Sequence, residues 1–433
     1  MKRFIFILFS ILVATNAFSA TQQVTFKGHS DPLLTTNAAT EYMHIMGSGG
    51  GPTNGNWNGT ESIRRSVMPA SGTFKTICAE LTAAPGAGYS TTFTLVIEAV
   101  ATALAATISG TDTEECFSTD VSITAGDVVN IKYTTAGTPE AATARFSFLF
   151  EPTIADQTVL VAGTNDETTR NDATTEYTVL TCAGCTFGSA TESNERVVIP
   201  TAGKIKSLYM EFQSGGPGTA DDTRAFTLML NGSASALTCT IGISSSGKCN
   251  DTSNEVTVAE GDFVSLRNVT VGAMGANHVA WGVVFQPTTS GEFISMAEGA
   301  VASAAATDFQ YSSANETGFS TEANRLEGAI ATTVTKLYAK LSAAPNTGKS
   351  RSFTLRLNGD TSQTFTISDA GTTGSSDVDV SLANLDLISI EQTPTSTPDA
   401  ATAYVSIVGF FTPTSSGAVT TINSATINSA TIN

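Results

Sequence analysis

The chain repeats itself three times, and the repeat is too long to be anything but a domain. The phrase FTLxxNG runs from Phe226 to Gly232, returns from Phe353 to Gly359, and survives in drifted form from Phe93 to Ala99. A hydrophobic stretch carrying Gly-Asp or its relic supplies Asp127, Asp262 and Asp386, and an aromatic strand closed by Pro-Thr supplies Pro152, Pro287 and Pro413. The markers keep their order at a period of about 130 residues, whereas solenoid units are several times shorter. The division this predicts is a leader at 1–19, modules at 20–153, 154–288 and 289–414, and a tail at 415–433.

The second module is the easiest to read. Apolar or alternating runs occur at Thr158 to Ala162, Glu176 to Thr181, Arg196 to Ile199, Ile205 to Phe212, Phe226 to Leu230, Leu237 to Ile241, Val256 to Leu266 with a break at Gly261-Asp262, and His278 to Phe285. Turn-forming residues separate them, and Thr, Val, Ser and Gly favour strands over helices. Asn231-Gly232 marks a hairpin, because both residues tolerate the positive φ that a tight turn needs. Glu98 to Ala106, EAVATALAA, is made of helix formers, yet Phe93 to Ile108 aligns without a gap to Phe226 to Ile241. The alignment predicts a hairpin with Glu98-Ala99 at the turn; a short helix is the alternative. About eight strands per module suit an antiparallel two-sheet sandwich, with a jelly roll ahead of an immunoglobulin-like fold. The predicted class is all-β, three tandem jelly-roll-like domains.

Met1-Lys2-Arg3, the apolar run Phe4 to Ala14 and the small-residue exit Ala17-Phe18-Ser19-Ala20 read as a secretory signal cut after Ser19. The mature chain is then expected outside the cell, with no membrane span of its own. The formal charge of the whole chain is −18, and loss of Lys2 and Arg3 makes it more negative. Such a surface repels phosphate backbones, which argues against nucleic acid as a partner. It suits an extracellular protein that must stay soluble. Asp221-Asp222 and Asp377 with Asp379 could help hold Ca²⁺, but none has calcium-loop spacing, and no cofactor or metal site is expected.

Six cysteines occur, none in the third module. In an oxidising compartment the pairings suggested by proximity are Cys78 with Cys116, Cys182 with Cys185, and Cys239 with Cys249. Sequence leaves the connectivity open. Cys182-Ala-Gly-Cys185 lacks the βαβ setting of a redox pair and reads as a loop disulfide.

The run from Ile205-Lys206-Ser207-Leu208 through FTLMLNG to VAEGDFVSL and WGVVFQP resembles jelly-roll modules of the tumour-necrosis-factor and complement-head type, as found in tandem in bacterial and phage surface proteins. It covers about the last two thirds of each repeat; the third repeat departs from it with Leu385-Asp386 in place of Gly-Asp. The resemblance implies trimeric packing and a binding or structural role without catalysis, although such folds host many functions. Only a handful of residues separate Pro152 from Val159 and Pro287 from Phe293, so the modules should hold a nearly fixed relation. Two arrangements follow: a pseudo-trimer within one chain, or a rigid rod.

Each repeat carries an aromatic residue, then Thr-Glu, then Arg: Trp57 with Glu61 and Arg65, Phe187 with Glu192 and Arg196, Phe319 with Glu322 and Arg325. The structural reading is a Glu–Arg pair tying a loop to the next strand, beneath an aromatic lid on the core. The binding reading centres on Trp57 in the Gly/Asn-rich loop GSGGGPTNGNWNG, where an exposed indole would offer a sugar ring a flat face and Asn54, Asn56 and Asn58 would supply hydrogen bonds. His29, His44 and His278 lie in separate segments, and no metal-binding spacing, GxSxG elbow or phosphate loop is present. Paired carboxylates could act on glycosides only if folding brought two together.

The expected function is therefore a secreted, non-enzymatic structural or adhesive surface protein, partnered by its own copies or by an extracellular glycan or protein. A carbohydrate-binding protein is the alternative, and a glycan-active enzyme comes third. The tail repeats Thr-Ile-Asn-Ser-Ala from Thr421 and stops inside the unit at Asn433. It reads as the opening of a β-solenoid or stalk cut short, as a low-complexity end, or as a strand offered to a neighbouring subunit.

Overall fold

A computed structural model describes residues 24–29, 40–48, 57–164, 175–185, 187, 189–213, 222–242, 247–272, 278–313 and 319–410. The predicted leader, Asn54, Asn56, Asp221 and the Thr-Ile-Asn-Ser-Ala tail lie outside them.

In the first module eight strands run Val24–His29, Thr40–Met43, Gly72–Leu81, Gly86–Ile97, Val100–Gly110, Glu114–Ile123, Val128–Ala136 and Ala144–Pro152. Their order across the two sheets is first, eighth, third, sixth, and second, seventh, fourth, fifth. Apart from the hairpin of the fourth and fifth strands, sequence neighbours are thus divided between sheets as a jelly roll requires. The same order recurs in the strands from Thr158–Gly163 to Val279–Pro287, and again from Glu292–Met296 to Ala401–Phe410. The protein is three jelly rolls in tandem.

Alternation puts apolar side chains between the sheets: Phe74, Phe93, Phe146, Phe148 and Phe150 in the first core, Phe226, Trp281 and Phe285 in the second, Phe353, Leu355 and Ile390 in the third. The hairpin between the fourth and fifth strands turns at residues of positive φ in each copy: Glu98 and Ala99 (49° and 63°), Asn231 and Gly232 (50° and 82°), Asn358 and Gly359 (53° and 83°). Ile97 pairs with Val100. The helix formers of Glu98 to Ala106 therefore lie in a turn and an edge strand, where cross-strand packing outweighs local propensity.

The modules close on one another. After a single 3-10 turn, each carries a two-residue strand, Ser66–Val67, Val197–Val198 or Glu327–Gly328, paired on its own seventh strand. This strand lies against the eighth strand of the next module, and in two joints against its first strand as well: Ser66–Val67 on the second module, Val197–Val198 on the eighth strand of the third, and Glu327–Gly328 back on the first. Three head-to-tail joints of one kind return to the start, the signature of a closed heterologous ring. One chain builds a pseudo-trimer, and the rod is excluded.

Candidate functional site

The recurrent loop begins with the 3-10 turns Glu61–Ile63, Glu192–Asn194 and Glu322–Asn324. Each glutamate reaches under its loop to the seventh strand. Glu61 Oε1 accepts from Asn130 Nδ2 at 2.7 Å, Glu192 Oε1 from Ser265 Oγ at 2.9 Å, and Glu322 Oε1 from Ser389 Oγ at 3.3 Å. Arg65 Nε donates to Glu61 Oε1 at 2.9 Å and Arg196 Nε to Glu192 Oε2 at 2.6 Å.

The third pair corrects the sequence expectation. Glu322 is bound by Arg356 Nε, 3.1 Å away on the fourth strand, and not by Arg325. The spacing explains it: the partners sit four residues on in the first two copies, and four on from Glu322 is Leu326. Arg325 corresponds instead to Arg64 and Glu195, and its guanidinium lies over the Tyr311 ring, 5.0 Å from the centroid.

Trp57 is corrected in the same way. Its indole is half-buried and packs on Phe93, Tyr133 and Phe146 at ring separations of 6.2, 5.5 and 6.4 Å. Phe187 caps the second core against Phe226 and Trp281 at 5.8 and 5.3 Å, and Phe319 packs on the third. The indole is thus a half-buried lid on the core and not the fully exposed face the sequence suggests. Asn58 bridges to Tyr42 through the backbone, and its Oδ1 accepts from the Thr60 amide at 2.7 Å.

The Gly-Asp marker is a brace. Asp127, Asp262 and Asp386 accept from the amides of Thr124, Ala259 and Ala383 at 2.9, 2.7 and 2.7 Å. In the second and third modules the hairpin asparagine spans to this turn: Asn231 Nδ2 donates to Asp262 at 2.8 Å, and Asn358 Nδ2 to Asp386 at 2.9 Å. In the first, Glu98 Oε1 accepts from the Val128 amide at 2.8 Å. Disulfides join Cys78 to Cys116, Cys182 to Cys185 and Cys239 to Cys249.

What sequence reasoning missed lies in the joints. Lys27, Val161 and Met296 occupy one position on the first strands, opposite Ser147, Gly282 and Ser406. Lys27 faces Glu327 of the third module, Met296 packs in one cluster with Val197 of the second, and the strand of Val161 lies beside Ser66–Val67 of the first. Ser147 Oγ donates to the Ala329 carbonyl at 3.4 Å, and Ser406 Oγ to the Val198 carbonyl at 2.8 Å. At Gly282 a Cβ would run into the Val67 carbonyl oxygen. Apolar clusters bridge two joints: Val67, Val128, Tyr209 and Ala280 between the first and second modules, and Val198, Phe263, Tyr338 and Tyr404 between the second and third. Among the described residues no such cluster bridges the third module to the first.

That last joint is polar. Lys27, 2 % exposed, donates to Ser312 Oγ at 3.1 Å. Burial lowers its pKa, with Glu327 opposing. Glu327, 1 % exposed, accepts from the Ser312 amide and hydroxyl, both at 2.6 Å, from the Ser313 amide at 3.2 Å, and from the Ser313 hydroxyl. The Tyr311 hydroxyl donates to the Asn324 carbonyl at 2.7 Å and lies 3.5 Å from His29 Nδ1. Burial, with Arg145 and Arg325 nearby, takes the His29 pKa down to about 3. At the first joint His44 sits beside Ser66 Oγ at 3.3 Å, and burial, with Arg64 and His278 nearby, lowers it likewise to about 3.

No group of three His, Cys, Asp or Glu residues placed to hold a metal occurs among the described residues, nor any helix long and apolar enough to cross a membrane. No protein-family model matches the chain, and no curated protein is significantly similar to it. Among solved structures it is similar to a chain described under "The Triple Jelly Roll Fold and Turret Assembly in an Archaeal Virus", at 11 % identity over 79 % of this chain and 80 % of that one, with a TM-score of 0.18.

Proposed function

We propose that the protein is a secreted structural or adhesive component of an extracellular surface, acting as a preassembled trimeric unit without catalysis. The observation that carries this reading is the use of the recurrent polar residues. The Glu–Arg loops, Asp braces and aromatic lids that the three modules share are spent on holding loops and turns to the strands of their own module, as their short contacts indicate. Head-to-tail closure about one axis also favours the tumour-necrosis-factor and complement-head kind of module, whose resemblance implies trimers. The leader pattern at 1–19 supports export. Glycan recognition stands behind this reading, because Trp57 packs on the core. Expression of the full chain in a secreting host, followed by fractionation and a polysaccharide panel, tests it. Processed protein in the medium or at the surface, without saccharide turnover, is expected; retention inside the cell or glycan cleavage would overturn it.

A further inference from the structure

The three joints share one geometry and differ in chemistry. Chain connections tether the first module to the second and the second to the third, across joints sealed by apolar clusters. The joint from third to first has no direct connection and is crossed by buried polar contacts: Lys27 with Ser312, Ser147 with the Ala329 carbonyl, and His29 with Tyr311, while Glu327, held within the third module by Ser312 and Ser313, faces Lys27 electrostatically. Buried polar contacts fix a pairing closely, yet add little net stability because water replaces them once the faces part. Where Val197 of the second module and Met296 of the third share one apolar cluster, the equivalent positions of the closing joint are Glu327 and Lys27.

We propose that this closing joint is an exchangeable docking surface whose partner is a second copy of the chain: an opened molecule lays its Glu327–Gly328 face on the Lys27–His29 face of the next, building head-to-tail chains or larger rings. A heterologous joint serves equally within one chain and between copies, and concentration decides which forms. The complementary faces lie at opposite ends of the polypeptide's three modules, so each opened copy offers one of each. This deepens the structural reading above and rests on it only for biological purpose.

Acid supplies the trigger. His29 is faced by Arg145 across the sheet, with Glu80 behind it at 3.2 Å, and by Tyr311 and Arg325 of the third module; Lys27, two residues away on its own strand, is the group that Glu327 acts on. Its pKa is lowered to about 3 in the closed joint from the ordinary histidine value of 6.5, and loss of burial and of Arg325 on opening raises it, so closure is favoured near neutral pH and weakens as pH falls towards 3. Protonation of this one group therefore favours the open form in acid, the part of the shift due to Arg145 persisting after opening and the part due to burial and Arg325 being relieved by it. His44 does the same at the first joint, where the tether and the apolar cluster oppose separation.

The test is an acid pulse. The full chain is held at pH 4 at high concentration, returned to pH 7.5 and passed over a sizing column with light scattering, folding being followed by circular dichroism. Species at integer multiples of the single-chain mass are expected, at least tenfold more abundant than without the pulse. The double substitution Lys27→Met with Glu327→Val, which copies the residues of the tethered joint, should abolish them; His29→Gln, which removes the titrating group, should reduce them at the same pH and provides the readout should the double variant not fold. A single-chain mass throughout, or a ladder indifferent to both variants, would overturn the proposal. Neither result depends on where the protein is located, so the surface role stands or falls separately.

Discussion

Arg356 does for Glu322 from the fourth strand what Arg65 and Arg196 do for their glutamates from within the loop, reaching it at 3.1 Å. The carboxylate kept its place while the cation moved, which marks the glutamate, bound to Asn130, Ser265 or Ser389, as the fixed element. Both members of the Glu322–Arg356 pair retain some solvent contact, so screening limits its worth to about 1 kcal/mol. A double-mutant cycle with Glu322→Gln and Arg356→Met should give a coupling of that order in chemical unfolding, whereas Glu322 and Arg325 should show none. Coupling to Arg325 instead would refute the reassignment.

Leu385 holds φ at 71° where Gly126 and Gly261 hold 95° and 85°. A side chain in this region costs roughly 1–2 kcal/mol. Leu385→Gly should therefore stabilise the third module by about 1 kcal/mol, and Ala99→Gly, restoring the glycine of the hairpin turn, should act alike in the first. Denaturation midpoints that fall for both variants would show that the turns are not strained.

The joints are tight where they lack side chains. Gly282→Ala pushes a methyl group into the Val67 carbonyl and Pro69, and overpacking of this kind costs about 1–3 kcal/mol. Unfolding of Gly282→Ala followed by calorimetry should start at lower temperature and lose cooperativity between the first two modules. An unchanged single transition would argue that this joint is loose.

Stability should fall with acid. His29 and His44 have folded pKa values near 3 against 6.5 unfolded, so their contribution is complete above pH 6.5 and is lost progressively towards pH 3. Glu195, pushed up to about 7 by burial, works in the opposite sense: its contribution is present below the unfolded value and lost as pH rises through 7. Melting curves from pH 8 to pH 4 should show the loss flattened in a His29→Gln, His44→Gln double variant, and Glu195→Gln should raise the melting temperature at pH 8. A double variant as acid-sensitive as the parent would assign the loss elsewhere.

The fold was legible because its carriers are local. Asn231-Gly232 and Asn358-Gly359 state their turns outright, and Phe93 to Ile108 could be read as a hairpin despite its helix formers because the aligned repeats share one topology. The strand Lys248–Val258 was read only from Val256. Its first residues, KCNDTSNE, lie on a sheet edge with mostly exposed side chains, so no apolar alternation marks them. Repetition found the Glu–Arg loops but misassigned Arg325, since a one-residue change in spacing moves a side chain to another contact. Trp57 looked available in a polar loop, and only packing on Tyr133 could show that it belongs to the core. The joints were invisible for a different reason. Lys27, Val161 and Met296 share a position yet no chemistry, so they give no recurrent signal, and each acquires meaning only beside residue 327, 66 or 197 of another module.

The central claim is closure of three jelly rolls into one ring, and small-angle X-ray scattering of the chain at neutral pH tests it most directly. Compact-domain scaling gives a radius of gyration of about 22 Å for the ring and about 33 Å for the same modules laid end to end. A value near the first, with the scattering profile of a compact particle, is expected; one near the second would contradict the account.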